Sequence, residues 1–140
     1  MAFNGTLLSM GGNNFPLKYI FISSYKVTPY QRLDLDSFRN ANGALIRNAL
    51  SLASTTIKFQ SKPMWNSDWA TMMKIIRKAF ISIPERKLNI TYYNPEVDDY
   101  RTGAFYVPDY EPSIMRVERK RLFYDACDFE FIGYGEPIRY

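Results

Sequence analysis

Between Lys87 and Asp109 the chain reads Lys-Leu-Asn-Ile-Thr-Tyr-Tyr-Asn-Pro-Glu-Val-Asp-Asp-Tyr-Arg-Thr-Gly-Ala-Phe-Tyr-Val-Pro-Asp, two aromatic runs around an acidic Asn-Pro turn, closed by a proline. Leu88, Ile90 and Tyr92 alternate with Asn89, Thr91 and Tyr93. That is the period of an extended chain with one face buried and the other wet. Phe105 to Val107 supplies the returning partner, so the segment predicts a strand pair. It contains no group suited to chemistry.

The rest of the composition agrees with a sheet protein. The chain has 11 Tyr and 10 Phe among 140 residues, a content that favours strand packing and interface contact. A chain of this length can bury a core without staples. The absence of histidine removes every mechanism that needs an imidazole as base, nucleophile or metal ligand. The lone Cys127 lies inside the apolar run Phe123 to Ile132 and reads as a small buried hydrophobe. The first residues lack the basic start of a secretory leader, and no run approaches the ~18 apolar residues of a membrane span.

Along the chain, residues 1–17 carry Gly11-Gly12 and Asn13-Asn14 and are expected to be a flexible arm or a first short strand. Residues 18–140 are expected to form a single β-rich domain. Lys18 to Val27 reads as a strand with Tyr19, Phe21, Tyr25 and Val27 on one face and only Ser23 interrupting. From Thr28 to Thr55 the sequence turns polar, with apolar residues set singly. Asn42-Gly43 there predicts a type I′ hairpin, both residues at positive φ, pairing Phe38–Asn40 with Leu45–Arg47 and bringing Arg39 near Arg47. Such an arm suits contact with a neighbour better than a place in a core.

Thr55 to Phe59 resumes the strand pattern, with Ile57 and Phe59 inward and Thr56 and Lys58 outward. One amphipathic helix is expected over about residues 67–82, from the stripe Trp69, Met72, Met73, Ile76 and Phe80 with Lys74, Arg77 and Lys78 opposite. Asn66 or Ser67 would cap it, and Pro84 would end it. A short strand over Ile114–Val117 and one long strand over Leu122–Ile132 complete the order.

No catalytic, cofactor or metal site emerges. Asp34-Leu-Asp36 and Asp98-Asp99 are the acidic clusters, and neither has the glycine and terminal glutamate of a calcium loop. They read as turn solvation or as partners for basic side chains of another subunit. Gly11-Gly12 lacks the strand and helix of a phosphate loop. The run Arg116, Arg119, Lys120, Arg121 reads as a solvated or interface-lining segment, diluted by Glu111, Glu118 and Asp125. Tyr19, Phe21, Tyr25 and Lys26 support an alternative of another class, a single-stranded nucleic-acid-binding module that stacks bases on a sheet face. The modest net charge of +4 weighs against that alternative.

Several segments in order carry a resemblance: Ser-Tyr-Lys-Val from Ser24, the Asp-Leu-Asp-Ser-Phe-Arg-Asn-Ala-Asn-Gly segment, Thr-Thr-Ile-Lys-Phe, the helix, Ile-Thr-Tyr-Tyr-Asn-Pro with Thr-Gly-Ala-Phe-Tyr-Val, and the closing Phe-Ile-Gly-Tyr-Gly. Together they resemble small tail proteins of phages and prophages of Gram-positive bacteria, of the tail-tube and distal-tail (baseplate) kind. The resemblance implies a mainly β fold, a β-sandwich or rolled sheet packed by one α-helix. It also implies a structural virion role without enzyme activity or cofactor, in a ring of about six copies. The implied partners are copies of the chain and other tail or baseplate proteins, with DNA passing through the lumen and no membrane. On that footing Arg39, Asn42, Gly43 and Arg47 in the hairpin, and Asp98, Asp99, Tyr100 and Arg101 at the acidic tip, are candidate subunit contacts. Asp98 and Asp99 either only solvate their turn or pair with Arg39 or Arg47 of a neighbour.

Overall fold

The computed structural model describes residues 3–34, 37–47 and 49–140, with the side chain of Ala49 outside the description. In chain order they form β1 (Leu8–Met10), β2 (Asn13–Asn14), a turn of 3-10 helix (Leu17–Tyr19), β3 (Ile20–Asp34), β4 (Phe38–Arg39), β5 (Leu45–Ile46), β6 (Ala49–Ser61) and β7 (Met64–Trp65). Then follow α1 (Asn66–Ala79), β8 (Phe80–Ser82), β9 (Lys87–Asn94), β10 (Asp99–Tyr106), β11 (Ile114–Glu118), β12 (Arg121–Tyr124), β13 (Asp128–Gly133) and β14 (Glu136–Pro137). The fold is mainly β with one α-helix among the described residues.

A nine-stranded antiparallel sheet is organised about β6, which pairs with β3 along one side and with β13 and then β14 along the other. From β13 the sheet continues to β10, β9 and β1, with β8 also on β9. The opening strand pair is as its alternation requires: β9 and β10 run in unbroken register from Asn94↔Asp99 to Lys87↔Tyr106, and Leu88, Ile90 and Tyr92 are fully buried. Of the two expectations for the N-terminal residues, the short strand holds for β1, which pairs with β9 and buries Leu8 and Met10.

The helix covers the sheet with Trp69, Met72, Met73 and Ile76, all packed in the same cluster as Ile57, Phe59, Phe105, Phe129 and Phe131. Burying a side chain of this size is worth about 1.5–3 kcal/mol, which explains why the stripe dominates the segment's conformation. Two expectations about it are corrected. The helix ends at Ala79, because Phe80 turns extended to pair with Leu88, and Pro84 restricts the residue before it. Neither Asn66 nor Ser67 caps it: Trp65 holds the N-cap position, and the Asn66 Oδ1 accepts the amide of Leu122 at 3.3 Å, tying the helix to β12.

Two strand readings also change. Tyr19 sits in the 3-10 turn, Ile20 is buried and Phe21 is half exposed, so the expected single face of residues 19–27 is broken. The cause is a register shift against β6 between Phe21 and Lys26, where Ser24 Oγ accepts the amide of Gln60 in place of a backbone partner. The long terminal strand is two strands in two sheets: β12 joins β11 and β7 in a three-stranded sheet, and β13 joins the large one. Cys127 lies at the junction, buried as expected, where its amide donates to Ser61 Oγ. Burial pushes its thiol pKa up.

Candidate functional site

The pairing of β3 with β6 continues beyond the body of the sheet as an arm. β14 reaches β6 only at Leu52 and Ala53, while β3 and β6 stay paired to Asp34↔Ala49. The hairpin β4–β5 stands at the end of this arm, with Phe38 opposite Ile46 and Arg39 opposite Leu45. That is one residue out of the expected register, in which Phe38 would face Arg47 and Asn40 would face Leu45, because the loop holds three residues and not two. Apolar side chains along the arm are about half exposed: Leu33, Phe38, Leu45, Ile46, Leu50 and Leu52 range from 38% at Ile46 to 55% at Phe38.

The turn differs from the expected type I′. Among the turn residues only Gly43 has positive φ, at 80°. Its amide donates to Asn40 O, and Asn40 N donates to Ala44 O, which makes a three-residue loop with glycine in the left-handed position. Asn40 Oδ1 also accepts the amides of Asn42 and Ala44. Arg39 donates to Gly43 O, whereas Arg47 makes two 2.8 Å hydrogen bonds to the Asp34 carboxylate. Those bonds hold the Asp34 carboxyl below its ordinary pKa. The two arginines therefore serve different partners. The other acid of that expected cluster, Asp36, lies outside the described residues.

The second candidate group lies at the root of the arm, away from its hairpin. Asp99 Oδ1 accepts the amide of Tyr100, and its other oxygen meets Arg101 Nη1 at 3.3 Å. The Tyr100 amide, then Arg101, holds the Asp99 carboxyl below its usual range. Arg101 also donates to Tyr100 O and, across a cleft of about 480 Å³, to Arg139 O at 3.0 Å. The Tyr100 amide and carbonyl are thus both covered by side chains, which caps the open edge of β10 before β13 joins it. Asp98 has positive φ and accepts the hydroxyl of Tyr93. Within the chain Asp98 and Asp99 meet neither Arg39 nor Arg47.

Sequence reasoning missed what lies beneath. Glu136 is buried, and its Oε1 accepts Tyr92 Oη at 2.6 Å and Thr55 Oγ1 at 3.0 Å. Thr55 Oγ1 in turn accepts the amide of Tyr30, a buried aromatic residue with φ of 46°. Tyr30 Oη donates to Arg139 O, and Arg32 bridges toward Glu96 at 3.9 Å and bonds Tyr140 Oη. These contacts brace the arm's root. Their only advance signal was polar residues in the alternating β6 pattern.

A cleft of about 670 Å³ lies beside the β3 bulge, where Lys58 and Glu130 approach to 3.8 Å. Tyr19 and Tyr25, expected on a stacking face, turn inward: Tyr19 is buried, and Tyr25 stacks on Phe59. No three acidic or thiol side chains converge on a metal-sized site among the described residues. No described helix is long and apolar enough to cross a membrane.

Fold and surface together define an antiparallel β protein, covered by one helix, that carries a two-stranded arm. A family model matches residues 1–134, and the chain belongs to that family, described as a family of unknown function (DUF6711). Neither a curated protein nor a solved structure matches it.

Proposed function

We propose that the protein is a structural subunit of a phage or phage-like tail, a ring-forming component of the tube or baseplate that acts by assembly and carries out no reaction. One observation carries this reading: the arm presents Leu33, Phe38, Leu45, Ile46, Leu50 and Leu52 to solvent. Side chains of this kind standing together mark a surface that is buried in use. Their placement on a braced two-stranded element suits insertion against a neighbouring copy. The resemblance of the sequence to small tail proteins supports the same reading, with other tail proteins as further partners and the virion as the place of action.

Sedimentation of the purified chain over a hundredfold concentration range tests it. The wild type is expected to associate. The double variant Phe38→Ser/Ile46→Ser is expected to remain monomeric with its melting temperature unchanged, because both side chains are already exposed. A wild-type chain that stays monomeric throughout would defeat the proposal, and so would a variant that associates as well as the wild type.

A further inference from the structure

The three-stranded sheet β11–β12–β7 gathers cations that the sequence scatters. Arg121 lies over the Trp65 ring at 3.8 Å, and Arg116 lies between Trp65 and Phe123 at 5.5 and 5.0 Å. The two rings meet edge to face at 4.9 Å. A cleft of about 240 Å³ beside them is lined by Lys18 and Lys62 together with Trp65 and Phe123. Arg119 and Lys120 form the exposed turn between β11 and β12. Six cations from three distant stretches of chain thus share one face. Against them stand Glu118, which meets Arg116 at 3.7 Å, and Asp68 in the cleft. The local surplus equals the net charge of +4 carried by the whole chain.

Asp34, Glu96, Asp99, Asp109 and Glu130 each pair with a cation of their own neighbourhood. Lys18, Lys62, Arg119, Lys120 and Arg121 make no salt bridge among the described residues. We infer that the Trp65–Arg116–Arg121 face, with Lys18, Lys62, Arg119 and Lys120 around it, binds the phosphate backbone of nucleic acid without reading its bases. Contact with the Trp65 ring holds the Arg121 guanidinium in place and leaves its edge free to donate in pairs to phosphate oxygens, while Arg116, shared with Glu118, adds its charge beside the same rings. The same contact covers the Trp65 ring, so bases have no free platform there. The inference needs only the single chain and stands apart from the assembly reading.

Fluorescence anisotropy with a labelled duplex DNA of about two turns tests it. Binding is expected at 50 mM salt and to weaken roughly a hundredfold by 200 mM, the slope for about four neutralised phosphates. Arg116→Gln/Arg121→Gln should weaken it more than about tenfold and lower the slope by about two. Lys74→Gln/Lys78→Gln, which removes equal charge from the exposed face of α1, should weaken it far less. Should the arginine pair variant fail to melt like the wild type, Arg119→Gln/Lys120→Gln at the turn takes its place with the same expectation. The idea is overturned by absence of binding at 50 mM salt, or by equal losses in the sheet and helix variants. Single strands binding much more tightly than duplex, or poly-glutamate displacing DNA at equal charge, would overturn it too.

Discussion

Tyr25 and Tyr92 show how two buried phenols of one sheet can have opposite value. The Tyr25 hydroxyl is buried without a hydrogen-bond partner, while that of Tyr92 donates to the Glu136 carboxylate. Burial raises both phenol pKa values above the ordinary 10, and for Tyr92 the Glu136 hydrogen bond adds to it. Tyr25→Phe should leave stability unchanged or raise it by up to about 1 kcal/mol, since it removes an unpaired polar group. Tyr92→Phe should cost about 1.5–3 kcal/mol by stripping a donor from a buried carboxylate. Urea unfolding of the two variants at pH 7 measures both. The pH dependence follows from the raised values: below pH 10 both states keep the phenol proton, and above it the unfolded chain loses the proton first. Stability should therefore decline as pH rises past 10, and less steeply in Tyr25→Phe. Neither role was legible in the sequence, where both residues appeared simply as strand aromatics. Which tyrosine finds a partner depends on Glu136, more than forty residues from either in sequence.

At the level of elements, close approach decides where change is tolerated. A Cβ on Gly133 would lie 2.9 Å from Thr55 O, where β13 crosses β6. Gly133→Ala should destabilise the whole fold by about 1–3 kcal/mol, visible as a lower urea midpoint. Nothing crowds Gly43, whose constraint is its positive φ alone. Gly43→Ala should cost about 1–2 kcal/mol in the turn, speeding hydrogen exchange at Asn40 and Ala44 while core amides stay protected. The hairpin was legible because Asn-Gly punctuates it, although the turn type depended on Asn40 folding back on its own loop. The β9–β10 pair was legible because its alternation is regular. By contrast, Leu122 to Ile132 carries no breaker, so nothing marked its division between two sheets. The shift at Phe21 was hidden because Ser24 supplies with its side chain what a backbone partner would have supplied.

Considered whole, the molecule separates its two proposed contact surfaces by chemistry: an apolar arm at one place and a cationic sheet at another. Raising salt should therefore leave self-association intact or strengthen it, while abolishing DNA binding. Sedimentation and anisotropy at 50 and 500 mM salt, on the same preparation, check both halves of this contrast. The arm could be anticipated from a polar stretch with isolated apolar residues between two strands. The cationic face could not, since residues 18, 62–65 and 116–123 meet only through the fold.

The position of β6 has a consequence in time. Residues 49–61 need β3, made before them, on one side and residues 128–137 on the other. During synthesis this strand waits with one edge open until nearly the whole chain has emerged. Pairings of such sequence separation form slowly and leave partly built sheets prone to join the wrong partner. With the arm proposed as a subunit contact already complete beside that open edge, a nascent chain that meets another too early is expected to assemble before it has finished folding.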